Sequence, residues 1–342
     1  MKILITGGCG FVGSNIAVFL KKKIKSVKIE SLDNLTRKGS RLNRDRLNKF
    51  QIHNYNFDIK NYTKFKRLKR YDFIIDCCAE PAIESSFKDP DAVLYTNLIG
   101  TFNVVKKCLK DNSCLIFLSS SRVYSIKNLR KLVNKKKINT PLKIKKKIRE
   151  NFETSLESSL YGFTKLASEK LIKEMFFTSK NKYLINRFGV IAGPWQFGKQ
   201  DQGFVSLWVA KHMLKKKLSY IGFGGKGHQV RDIIHIDDVC EIILCQLKKI
   251  NKIYNDTFNI GGGPKNSLSL KDLTLKCQRI TKNKIKISKK LKTSILDIPY
   301  YVTDNRKIFN TYKWKPFKSV DQTIKDIYFW LNNLKDIRKY FK

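Results

Sequence analysis

Apolar residues at Ile3-Leu4-Ile5 make a short block between Lys2 and Thr6, and the pattern then switches to helical spacing over 11–23. The alternation recurs down the first half of the chain. A strand is predicted at 27–32, a buried strand from Tyr71 to Cys78, a helix from Asn97 to Leu109 and a buried strand from Cys114 to Ser119. A helix from Tyr161 to Phe177 and a strand from Tyr183 to Asn186 follow. Strands alternating with helices over short links predict an α/β chain with a doubly wound parallel sheet. Residues 126–158 break this rhythm, being basic and then acidic and serine-rich, and are expected to form an irregular surface insertion. After Arg187 glycines gather at Gly222, Gly224, Gly225 and Gly227 and again at Gly261, Gly262 and Gly263, which suggests loops facing a cleft in a smaller C-terminal lobe. Ser269 before Leu270-Lys271-Asp272 reads as a helix N-cap. Ile324, Ile327, Trp330, Leu331 and Leu334 give the final helix an apolar face. The expected division is a sheet domain over 1–186, rejoined by segments near 231–262, and a substrate-binding lobe mainly in 187–342.

The length of 342 residues allows one large α/β unit or two coupled lobes. Charge adds an unusual feature: 70 Lys and Arg against 28 Asp and Glu give a formal net charge of +42. Such a field favours polyanions and phosphorylated substrates. Lys, Ile and Asn are abundant together, however, and the basic residues are spread along the chain. The densest run covers Lys135-Lys136-Lys137, Lys143, Lys145-Lys146-Lys147 and Arg149. Compositional bias and a solvated face explain this, and nucleic acid is not an expected partner. The eight cysteines form no C-x-x-C pair, and none of the four histidines shows metal-ligand spacing, so free thiols and no metal are expected. No apolar run reaches the roughly 18 residues of a membrane span. No basic leader precedes the first strand, and a cytoplasmic location is expected.

Gly7, Gly10 and Gly13 form G-x-x-G-x-x-G straight after the first strand and at the start of a helix. A turn there needs residues without Cβ, close backbone approach to a pyrophosphate and tight packing of helix on strand. The helix N-terminus offers unpaired N–H groups to the diphosphate. Asp33 ends the second strand, where an acid accepts hydrogen bonds from an adenosine ribose and repels a 2′-phosphate. This favours NAD, although Arg37 and Lys38 stand nearby. Tyr161 and Lys165 form Y-x-x-x-K, whose i, i+4 spacing puts both side chains on one helix face. An adjacent ammonium and the positive ring of NAD⁺ would stabilise a phenolate and make the tyrosine a general base. Ser119-Ser120-Ser121 follows a buried strand, at the carboxyl edge where open α/β sheets bind ligands.

With these residues the chain resembles the extended short-chain dehydrogenase/reductase family over nearly its whole length. The matching stretches are Thr6-Gly7-Gly8-Cys9-Gly10-Phe11-Val12-Gly13, Asp58-Ile59, Asn97-Leu98-Ile99-Gly100-Thr101, Ser119 through Tyr124 and Tyr161-Gly162-Phe163-Thr164-Lys165. Arg231 through Asp238, Phe258 through Gly262 and Trp314-Lys315-Pro316 continue it in family order. The resemblance implies a Rossmann sheet that holds NAD through Gly7, Gly10, Phe11, Val12, Gly13, Asp33, Asn34, Asp58, Ile59, Asn97, Tyr161 and Lys165. It implies Ser120, Tyr161 and Lys165 as the catalytic set, Gln202 and Arg231 at a nucleotide-sugar substrate, a structural His235, and homo-oligomers paired through Rossmann helices. Asp33 through Ser40 with Asn43, Gln196 through Gly203, and Gly224 through Asp232 with Asn266 through Leu270 resemble the members that invert C2 of a CDP-linked sugar.

Three departures matter. Sugar dehydratases carry Thr-Asp-Glu before Val-Tyr, where this chain has Ser120, Ser121 and Arg122. Many 4-epimerases have Asn where Val190 stands, and the Gly expected after Val-Tyr is Ser125. Glu80 and Glu84, after the strand ending at Cys78, receive only a surface position. The expected activity is therefore NAD-dependent epimerisation of a nucleotide-linked sugar. Another nucleotide-sugar epimerase or reductase stays open, as does a non-catalytic polyanion-binding protein.

Overall fold

Seven short strands make the sheet of the first unit: β1 (Lys2–Thr6), β2 (Lys28–Leu32), β3 (His53–Tyr55), β4 (Phe73–Asp76), β5 (Cys114–Ser120), β6 (Tyr183–Phe188) and β7 (Asp256–Ile260). Their spatial order is β7-β6-β5-β4-β1-β2-β3. The pairs β1–β2, β1–β4, β2–β3 and β4–β5 are parallel, so the expected doubly wound sheet is present. The computed structural model describes residues 1–81, 88–133, 146–199 and 202–341. Glu84, Lys135, Lys136, Lys137, Lys143, Lys145, Gln200 and Asp201 lie outside the described residues.

The first unit comprises Met1–Val123, Ser159–Arg187 and Val239–Phe258. Its core takes Leu4 and Ile74 from the sheet, Val104, Val105 and Cys108 from the helix Gly100–Asp111, and Ile172 and Phe176 from the helix Leu160–Phe177. Each side chain of this size contributes about 1.5–3 kcal/mol by leaving water. Register puts Thr6 opposite Leu32 and Asp76, while Asp76 meets Phe117, so β5 runs three residues past its neighbour to end at Ser120.

The second unit comprises Tyr124–Ser158, Phe188–Asp238 and Asn259–Lys342. It is nearly as long as the first, where the sequence suggested a smaller lobe. Its central strand Val230–His235 pairs in parallel with Val190–Ala192 and Tyr300–Tyr301 and antiparallel with Ser267–Ser269. Trp208, Leu273, Ile324, Ile327 and Leu331 share one core beneath the helices Phe204–Met213, Leu270–Thr281 and Val320–Asn332. Ser269 caps its helix in a reciprocal pair with Asp272.

The interruption at 126–158 is irregular and without buried residues over 149–158, as expected, but not at its start or at Ile148. Ser125 caps a helix at Ile126–Lys131, and Ile126, Leu129, Val133 and Ile148 are buried. Ile148 N donates to Val302 O at 2.8 Å, and Arg130 donates to the carbonyls of Asp297 and Ser294. These residues belong to the second unit, whereas the sequence division placed them in 1–186. In the second glycine cluster, Gly261 is required by close packing inside the second unit. A Cβ on Gly261 would sit 2.1 Å from Thr303 Oγ1 and 2.4 Å from Asp232 Oδ2, so this glycine lets backbone pass a buried carboxylate. Burial pushes the Asp232 carboxyl above the usual range, and the Gly263 and Thr303 N–H groups offset part of that.

Candidate active site

The glycine-rich turn is shaped by contacts no side chain could share. Gly7 has φ +63°, and a Cβ on it would lie 2.9 Å from Cys78 Cα. A Cβ on Gly13 would lie 2.4 Å from Gly7 O and 2.8 Å from Gly8 Cα. Gly10 is the N-cap of the helix Phe11–Lys23 and makes no side-chain cap, so the first N–H groups are left for a ligand. Phe11 and Val12 open that helix and are half-buried. Asn43 Nδ2 donates to Cys9 O at 2.9 Å and pins the turn from the helix Ser40–Lys49.

Asp33 follows β2 and accepts from Cys9 N at 3.1 Å and Leu35 N at 2.8 Å. Burial raises its carboxyl above the usual range, with these N–H groups and Arg37 acting against the shift. Arg37 pairs with Glu80 at 2.7 Å, so a carboxylate balances the cation that clouded the choice of cofactor. This also gives Glu80 a role beyond a surface position. Asn34 donates to Asp58 at 3.0 Å, and Ile59 is buried against the site of Gly100. These residues fit a dinucleotide: a cradle that any Cβ would fill, a helix N-terminus for phosphates, and an acid with the ribose position beyond it.

Tyr161 and Lys165 lie one turn apart on the helix Leu160–Phe177, which Ser159 caps. Lys165 is buried and donates to Leu118 O at 3.0 Å and Cys78 O at 3.5 Å, with its ammonium 4.5 Å from the Phe117 ring centre. It is thereby tied to β5 and to the loop after β4. The Tyr161 hydroxyl has no hydrogen-bond partner among the described residues. Ser120 Oγ accepts from Arg122 N at 3.1 Å, which leaves its hydroxyl hydrogen for a ligand oxygen. All three belong to the first unit. The turn Ser119-Ser120-Ser121-Arg122 brings hydroxyls and a cation, and no carboxylate, to this strand end.

Asn97 has its side chain engaged within the protein. It is buried in a π-helical turn, Tyr95–Ile99, and both amide hydrogens are taken: one by Glu80 O at 3.2 Å and one by Thr164 Oγ1 at 3.0 Å. Its Oδ1 accepts from Glu80 N at 2.8 Å. It braces the Tyr161 helix against the loop after β4. A second brace escaped the sequence reading. Glu169, fully buried, accepts from Ser119 Oγ at 2.5 Å and from Arg187 Nη2 at 2.7 Å. The spacing Tyr161, Lys165, Glu169 was the signal available, since it continues the same helix face.

In the second unit Arg231 donates to Asp297 Oδ1 at 3.2 Å and Ile298 O at 2.6 Å, so a carboxylate already neighbours the cation assigned to a diphosphate. Gln202 closes a backbone pair with Lys199. His235 lies near Asp237 and Asp326, a set with ligand-like spacing that the sequence did not reveal. Its Nδ1 accepts from Asp237 N at 2.9 Å, and Lys318 lies 3.0 Å from Asp326 and 3.6 Å from Asp237. An ammonium fills the role of the cation there, and burial lowers the imidazole pKa.

The chain is similar to known proteins along its length. It is 28% identical to the CDP-paratose 2-epimerase of Salmonella typhi, over 98% of this chain and 100% of that one. It is also 28% identical to a putative UDP-glucose 4-epimerase of Methanocaldococcus jannaschii, over 97% and 98% of the two chains. In backbone it follows the UDP-glucuronic acid 4-epimerase of Bacillus cereus, solved with UDP-glucuronic acid and NAD, with a TM-score of 0.81, 22% identity and coverage of 97% and 99%. The family model described as "NAD dependent epimerase/dehydratase family" matches residues 3–261. Together with the glycine turn and the Tyr161–Lys165 helix, this match shows that the chain is an enzyme belonging to the NAD-dependent epimerase/dehydratase family.

Proposed function

We propose that the enzyme interconverts two C2 epimers of a nucleotide-linked sugar, CDP-paratose and CDP-tyvelose, through a 2-keto sugar that stays attached to its nucleotide. The observation that carries this reading is the set at the end of β5: an unpartnered Tyr161 hydroxyl, an anchored Lys165 and a Ser120 hydroxyl hydrogen without a partner. Bound NAD supplies reversible hydride uptake at the sugar carbon. Tyr161 takes the proton of the sugar hydroxyl, and Ser120 donates a hydrogen bond to the same oxygen as it becomes a ketone. Lys165 holds positive charge beside the phenolate. Elimination of water needs an acid beside this set, and Ser120, Ser121 and Arg122 stand where dehydratases carry theirs. Gln202 and Arg231 would bind the nucleotide diphosphate, Arg231 exchanging Asp297 for phosphate oxygens.

The choice of C2 rests on the full-length likeness to a CDP-paratose 2-epimerase. The putative UDP-glucose 4-epimerase, also 28% identical, supports a second reading, inversion at C4. Denaturing the purified protein and weighing the released nucleotide should give NAD, and proton NMR should show CDP-paratose converted at C2. Inversion of a UDP-hexose at C4 instead would select the second reading. Steady consumption of NADH would select a reductase. Salt-sensitive binding of RNA with no turnover would turn attention to the charge of +42.

We also propose a homodimer. Tyr95, Ile99 and Phe163 are exposed large hydrophobics on two helical segments of the first unit that pack together. Tyr95→Glu with Phe163→Glu is expected to convert a dimer into a monomer in sedimentation velocity, and an unchanged sedimentation coefficient would reject this face.

A further inference from the structure

We infer that Glu169 is a positioning residue that sets Ser120 and Lys165 relative to each other; this rests on the site reading above. The two pins on β5 are adjacent residues. Lys165 donates to Leu118 O at 3.0 Å, and one turn further along the helix Glu169 accepts from Ser119 Oγ at 2.5 Å. Consecutive strand residues point to opposite faces. Holding Ser119 towards the helix therefore fixes the direction in which Ser120 leaves the strand. Arg187 on β6 grips the same carboxylate, with Nε 3.0 Å from Oε1 and 3.1 Å from Oε2 and Nη2 2.7 Å from Oε2. One buried carboxylate thus joins β5, β6 and the Tyr161 helix.

A stability role alone does not account for this arrangement. Buried ion pairs can be exchanged for apolar residues of similar volume with little loss of stability. What such an exchange cannot keep is the directed bond from Ser119. Glu169 touches neither sugar nor cofactor in this scheme, and its effect passes through the placement of Ser120 and Lys165.

Three variants of the full chain, with its co-purified NAD, test this using CDP-paratose and then UDP-hexoses. Ser119→Ala removes only the hydroxyl and should lower kcat about three- to tenfold, with KM within twofold and NAD content unchanged. Glu169→Ala should lower kcat more than tenfold, and adding Ser119→Ala to it should lower kcat no further, because each removes the Ser119–Glu169 bond. Should Glu169→Ala not fold, Glu169→Leu with Arg187→Met replaces the pair by apolar packing. That double variant should recover the wild-type melting temperature without recovering kcat. Wild-type kcat in Ser119→Ala and in the apolar pair would overturn the inference while leaving the site reading intact. No turnover of any sugar by the wild-type chain, or full turnover by Tyr161→Phe, would overturn the site reading and this inference with it.

Discussion

Tyr161→Phe is expected to lower kcat about 10²–10⁴-fold, the span that a positioned general acid–base contributes. The ring is half-buried, and its hydroxyl has no partner among the described residues, so its removal leaves no protein group unsatisfied. The folded state and the bound NAD should be unchanged. The measurement is kcat with the wild-type sugar, beside the NAD released per chain on denaturation. Wild-type turnover in this variant would remove Tyr161 from the chemistry. Loss of both activity and NAD would show that the ring serves the cofactor site more than the proton.

The second large effect is expected at the glycine turn. Gly13→Ala puts a methyl group 2.4 Å from Gly7 O and 2.8 Å from Gly8 Cα, and both neighbours are backbone. Neither can swing aside as a side chain would, so the turn must open. Overpacking of this kind costs about 1–3 kcal/mol. The larger loss falls on the N–H groups at the start of the helix Phe11–Lys23, which no longer converge on one phosphate. NAD released from the variant should fall below about a tenth of the wild-type amount, with the melting temperature lowered by about 1–4 °C. One NAD per chain in Gly13→Ala would mean that the pyrophosphate is held elsewhere.

Much of this was legible from local pattern. Strand-helix alternation marks the sheet because buried parallel strands are continuous apolar blocks, as Ile3-Leu4-Ile5 and Leu115 through Leu118 are. The glycine turn and Y-x-x-x-K are legible because each acts within one turn of backbone. Long-range pairs were harder to read. Glu169 and Arg187 look like ordinary surface charges in a chain this basic, and only the fold shows them buried against each other. A π-helical turn directs the amide of Asn97 to Glu80 and Thr164, which the sequence does not show. The stretch after Tyr124 misled because its many lysines outweigh Ile126, Leu129 and Val133, whose helical spacing marks a buried face. Arg231 reads as an anion-binding residue, yet the page of sequence gives no hint that Asp297, far along the chain, lies beside it.

The scattered chain segments of the first unit have a consequence during synthesis. Its sheet cannot be completed in the order in which the ribosome delivers it. β6 ends at Phe188, and the edge strand β7 begins only at Asp256. At ordinary translation rates of about 5–20 residues per second, β6 waits roughly 3–14 s for its outer neighbour. Through that interval the edge of β6 has unpaired backbone donors and acceptors, the kind of template on which nascent chains misassemble. Chaperone demand should therefore peak while residues 189–255 are being made, and slower codons in that stretch would prolong the exposure.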